Sequence, residues 1–171
     1  MMTILEETQV NPHTIANHLE CSGIEVVKQE FNKSGSWILL VTGAGLNFRI
    51  SFDEERKFLR FSTFLPLDPS RTYESKLQLV QKFNSELFLA NFSLDRDDDL
   101  LVIYYMSFVQ GLNLAQFMKV TMRYTELLEH IVETRNTDDM IKFSNNADDD
   151  DADESSMSNR GISVPPNTFL N

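Results

Sequence analysis

The stretch Leu89-Ala90-Asn91-Phe92-Ser93-Leu94-Asp95-Arg96-Asp97-Asp98-Asp99-Leu100-Leu101-Val102-Ile103-Tyr104-Tyr105-Met106-Ser107-Phe108 decides the fold. Two runs of strand-forming residues, Leu89–Leu94 and Leu100–Phe108, flank a short Asp-rich link. A link of that length and composition closes a hairpin, and a hairpin pairs its strands antiparallel. Upstream, Leu46, Phe48, Ile50 and Phe52 alternate with Asn47, Arg49, Ser51 and Asp53. A period of two means one buried and one wet sheet face.

Working outward, Asn11-Pro12 opens a helix: a side-chain acceptor, then a residue with fixed φ and no N–H to satisfy. Ile15, Ala16 and Leu19 form its apolar face, and Gly23 lies past its end. Ile24–Phe31 reads as a strand, Lys33–Ser36 as a turn, and Trp37–Val41 as a continuous apolar strand of central type. Gly43-Ala44-Gly45 breaks the chain before the alternating segment. Lys57–Leu65 is the next strand, ended by Pro66 and Pro69. Tyr73, Leu77, Val80, Phe83 and Leu87 recur at helical spacing. After Gly111, Asn113 is an N-cap with Gln116 three residues on, and Leu114, Phe117, Thr121, Tyr124, Leu128 and Ile131 line one stripe of a long helix. The order is α-β-β-β-β-α-β-β-α. This is an α+β fold, an antiparallel sheet with helices packed on one face.

The chain has 171 residues and a formal charge of −11, with 42% apolar residues. That is enough to bury a core, and it disfavours general nucleic-acid binding, which needs cations to displace counterions. Cys21 stands alone, which excludes an intramolecular disulfide scaffold. No stretch is long and apolar enough to span a membrane, so no membrane role is expected. Residues 1–10 carry Glu6 and Glu7 and no cation, read as an N-terminal arm and not a signal peptide. Residues 1–134 hold 12 Lys+Arg against 18 Asp+Glu, and 135–171 hold 3 against 8. That second segment contains Asp148-Asp149-Asp150-Asp151-Ala152-Asp153-Glu154 and few apolar residues, and is expected to be a disordered acidic tail. The organisation is thus arm 1–10, domain 11–134 and tail 135–171, in a cytoplasmic protein.

Chemistry-bearing residues are sparse. The Asp95–Asp99 run lacks the Gly and the terminal Glu of a calcium loop and reads as a solvated turn. The acidic run of the tail would hold divalent cations only loosely without a folded cage. His13 and His18 are five apart and do not chelate from one helix face, while His130 sits where a helix end mildly favours a cation. Gly43-Ala44-Gly45 leads into a strand, not into the helix N-terminus that a phosphate cradle needs. Arg49 and Arg60 fall on the wet face of neighbouring strands. A small anion site is conceivable there, and pairing with cross-strand acids is the default. No catalytic, cofactor or metal residues are assigned, and a non-enzyme is expected.

The aromatic load points elsewhere. Trp37–Val41 and Leu100–Phe108 are apolar at both parities, and helices on one side cannot cover both sets. Apolar surface is therefore expected to meet a protein partner, with a second copy of the chain, a homodimer, as one candidate. Tyr105, Phe108, Phe117 and Tyr124 are the expected contact residues.

The segment Tyr104-Tyr105-Met106-Ser107-Phe108-Val109-Gln110-Gly111-Leu112-Asn113-Leu114-Ala115-Gln116-Phe117, preceded by Asn91–Val102, resembles the YbjN family of bacterial sensory-transduction regulators. The order of elements resembles the type III secretion chaperone fold. The resemblance covers residues 11–134 and rests on packing and capping residues, and a tail ending in Phe169-Leu170 has a counterpart in some members. It implies regulation of stress, motility or exopolysaccharide traits, with no catalytic residues to carry over. Secretion chaperones are small, acidic and dimeric and bind extended clients, which makes a client-binding chaperone the alternative. A small-molecule-binding protein or enzyme comes third.

Overall fold

Asn11 accepts the Thr14 N–H at 3.0 Å, and Pro12 fills the first helical position, so α1 (Pro12–Cys21) begins where the sequence reading put it. The computed structural model describes residues 4–32, 35–41 and 45–142. In chain order the elements are β1 (Ile4–Leu5), a single 3₁₀ turn, α1, β2 (Val26–Asn32), β3 (Gly35–Val41), β4 (Asn47–Asp53), β5 (Phe58–Leu65), α2 (Tyr73–Glu86), β6 (Asn91–Leu94), β7 (Leu100–Ser107), β8 (Leu112–Asn113) and α3 (Leu114–His130), which a π-turn extends to Arg135. Six strands form one sheet in the order β2-β3-β4-β5-β7-β6, every neighbouring pair antiparallel. The fold is α+β, with the helices and long strands in the expected order.

The register assigns the faces. Ile38 pairs with Ile50, Ile50 with Phe61, Phe61 with Tyr104, and Phe92 with Val102. Side chains opposite one another share a face, so these residues form one surface, and it is the one the helices cover. Phe61 lies at its centre, with ring centroids 6.1 Å from Phe117 and 5.6 Å from Tyr124 of α3. Phe83 of α2 meets Phe92 edge-on at 5.4 Å. Ile15 and Leu19 of α1 are fully buried in the same core.

Several boundaries differ from the sequence reading: β2 begins at Val26 and not at Ile24, and Gly35 and Ser36, expected in the turn, already pair as the start of β3. Leu89 adopts φ +92° and stands outside β6, because a β-branch-free but bulky residue at positive φ cannot continue the pleat. The arm is tied down: Ile4 and Leu5 pair with Asn113 and Leu112, and Glu7 accepts the Gln110 N–H at 3.2 Å and meets Lys57 at 3.4 Å. Two-residue strands carry no periodicity, so nothing in the pattern announces them. The chain expected to leave the body after 134 stays on it to Lys142. Met140 and Ile141 are buried, Ile141 bridges Leu67, and the Asn136 side chain bonds both N–H and C=O of Ile141. The rest of the expected tail, and the Lys33-Ser34 and Gly43-Ala44 positions, lie outside the described residues.

The Asp-rich hairpin link is built as a turn. Asp95 accepts the N–H groups of Asp97 and Asp99, both at 2.9 Å. Asp99 reaches across to the Leu67 N–H at 2.9 Å, fastening the end of β5. Burial raises the Asp99 pKa above the usual carboxylate value, against the lowering effect of that hydrogen bond.

Candidate functional site

The sheet's second face carries the alternate residues. Trp37 lies opposite Ser51, Ser51 opposite Arg60, and Arg60 opposite Tyr105. Arg49 lies opposite Ser62, and Ser62 opposite Ile103. Phe58, next to the β4–β5 turn, packs edge-on against Tyr105 at 6.4 Å. Phe58 and Tyr105 are 37% and 45% exposed, where the covered face shows Phe61 at 0%. The open face is thus an aromatic and aliphatic surface with two guanidiniums set into it.

Those guanidiniums are not ordinary surface cations. Arg49 lies over the Trp37 ring at 4.6 Å, and Lys28 stands 5.4 Å from the same ring. Burial, then the charge of Arg60, depresses the Arg49 pKa, while Glu30 pulls it back up. Arg60 opposes a serine and a tyrosine, and its Nε–H is buried without an acceptor among the described residues. Pairing with cross-strand acids, the default expectation for both arginines, fails for Arg60 because the register places no carboxylate opposite it.

Of the four expected contact residues, only Tyr105 is exposed. Phe108, Phe117 and Tyr124 are 1%, 0% and 0% exposed. Phe117 and Tyr124 belong to the α3 stripe that faces the sheet, so they pack against Phe61 instead of meeting a partner. The Tyr124 hydroxyl donates to the Val102 carbonyl at 2.8 Å, and burial drives its pKa far above the ordinary tyrosine value. Phe108 closes the β4–β5 turn, its N–H bonded to Lys57 C=O at 2.9 Å. Trp37, Phe58 and Arg60 were not singled out as contacts. Their parity relative to Tyr105 would have marked them once the β4–β5 and β5–β7 registers were fixed.

A second concavity of about 540 Å³ lies between α2 and the segment after α3, lined by Arg71, Lys82, Asp138 and Asp139 among others. Two of its charges are already engaged. Arg71 binds Asp68 and the Asp138 carbonyl, and Asp139 pairs with Lys142. Among the described residues no group of His, Cys, Asp and Glu has metal-site geometry, and no helix is long and apolar enough to cross a membrane.

A family model described as "YbjN: Putative bacterial sensory transduction regulator" matches residues 11–134. The chain belongs to the YbjN family. Among solved structures, this YbjN chain is similar to one described as "YbjN, a putative transcription regulator from E. coli", at 17% identity and TM-score 0.60, over 76% of this chain and 94% of that one. It is also similar to an uncharacterized protein from Methanothermobacter thermautotrophicus, at 14% identity and TM-score 0.52, over 72% and 96% of the two chains. At these identities the likeness to both structures is one of fold. No curated protein matches this YbjN chain.

Proposed function

We propose that this YbjN-family protein is a non-catalytic, cytoplasmic bacterial regulator that works by protein–protein contact on the open sheet face. One observation carries the reading: the helices cover one face of the sheet and leave Trp37, Phe58, Ile103 and Tyr105 on the other. Aromatic side chains beside arginine are the composition of interface hot spots, where large rigid rings and a planar cation bury together. The family's regulatory description fits a protein that acts by binding.

The test is a photo-crosslinking residue placed at position 105 in cells, with Lys119 on exposed α3 as the control position. A discrete adduct at 105 and none at 119 is the expected result. Its identity by mass spectrometry separates a second copy, a folded partner and an extended client of the chaperone type. Diffuse labelling at both positions sinks the proposal.

A further inference from the structure

The two arginines of the open face differ in their surroundings. Glu30 faces Arg49 and meets Lys28 at 3.5 Å. Arg60 has no ion pair or hydrogen bond among the described residues. It stands one diagonal step from Arg49, since Arg60 opposes Ser51 and Arg49 opposes Ser62. Two guanidiniums at that spacing repel, and an anion between them relieves the repulsion. Four other cations among the described residues have carboxylate partners: Lys57 with Glu7, Arg71 with Asp68, Arg135 with Glu86 and Lys142 with Asp139.

The chain itself carries the complementary segment. Ile141 bridges Leu67, and the Lys142 N–H bonds the Pro66 carbonyl at 2.9 Å, so the chain continues from a point just beyond the end of β5. Arg60 lies on that same strand, about 17 Å back from Leu65 at the usual rise per residue. An extended chain from Lys142 reaches about 20 Å by Asp148. Residues 148–154 hold six carboxylates. Tethering gives them a high effective concentration at the face.

We propose that the acidic run Asp148–Glu154 docks in cis on the open face, its carboxylates gripping Arg49 and Arg60 beside Trp37. A protein partner then has to displace it, which makes the run a built-in competitor for the surface.

Paramagnetic relaxation tests this on the full chain. A nitroxide is placed at Ala152→Cys in a Cys21→Ser background, and the Trp37 indole N–H is observed. At low salt that signal loses most of its intensity. The loss reverses at about 1 M salt, where the Debye length is about 3 Å, and it disappears in R49Q/R60Q with the fold confirmed by amide dispersion. Neutralising 148–154 to Asn and Gln, which leaves the sheet untouched, abolishes the intensity loss as R49Q/R60Q does. A sharp Trp37 signal at low salt overturns the inference. So does broadening seen only when labelled and observed chains are different molecules, which assigns the face to a second copy. The inference rests on the open face being the working surface, yet the two fail separately. A position-105 adduct that is indifferent to neutralising the acidic run overturns the docking and leaves the contact function standing.

Discussion

The two faces of the six-stranded sheet are made by the same strands and differ in almost everything else. On the covered face, Ile38, Ile50, Phe61 and Val102 are fully buried under three helices. On the open face, the same strands present Trp37, Ser51, Arg60 and Tyr105. The covered face reads as stability: rings packed at centroid distances near 6 Å, with polar atoms satisfied, as in the Tyr124 hydroxyl on Val102. The open face differs in kind: among the described residues it holds a buried donor without a partner, Arg60 Nε–H, and it keeps Phe58 and Tyr105 in solvent.

The contrast breaks most sharply at Phe61 and Tyr105. Phe61→Ala removes the centre of the covered face and costs about 3–5 kcal/mol in chemical denaturation, as a large cavity does. Tyr105→Ala changes stability by about 0.5 kcal/mol or less, the usual scale for an exposed site. Equal losses at the two positions would erase the distinction between the faces. Tyr124→Phe isolates the hydroxyl's hydrogen bonding on the covered side. It leaves the Val102 carbonyl short of its partner and costs about 1–3 kcal/mol, read from the same denaturation curves.

Arg60→Met moves the other way. Measured at about 1 M salt, where charge contacts are screened, it raises stability by about 1 kcal/mol, because the unmet Nε–H disappears while the aliphatic stem stays. A loss of that size would mean that Arg60 is structurally paired. The smallest effect lies at the sheet's end. The Asp99 carboxyl titrates above its ordinary value, so its charged form weakens the fold, and that penalty grows as pH rises through the folded pKa. Asp99→Asn keeps the acceptor for Leu67 and removes the charge. Its melting temperature exceeds the parent's at pH 7, and the gap closes as pH falls below the usual carboxylate pKa of 3.8. A gap that widens in acid would refute the assignment.

Much of this was legible in the residues. The strict alternation from Leu46 to Phe52 gave β4 and its faces, and Asn11-Pro12 and Asn113 gave two helix starts, because capping and pleating are local physics. The α3 stripe was read correctly as one surface. Its members Phe117 and Tyr124 meet the sheet and not a partner, because a stripe of that width is what a helix buries against its own sheet. Whether Tyr104 or Tyr105 points outward depends on pairing with Phe61 and Arg60, far away in sequence, and local pattern cannot supply that register. Met140 and Ile141 were hidden in a charged neighbourhood whose composition outweighed two isolated apolar residues.

The clamp between Ile4–Leu5 and Leu112–Asn113 has a kinetic consequence. A Cβ on Gly111, at φ +106°, would lie 2.5 Å from the Leu5 carbonyl oxygen, so the strands meet where only glycine leaves room. The Glu7–Gln110 bond beside them joins positions 103 residues apart. Closing so large a loop for a two-residue ladder is entropically expensive. The N-terminal ladder will be the last piece to assemble and the first to let go, and its amides will exchange with deuterium well before those of β5 and β7.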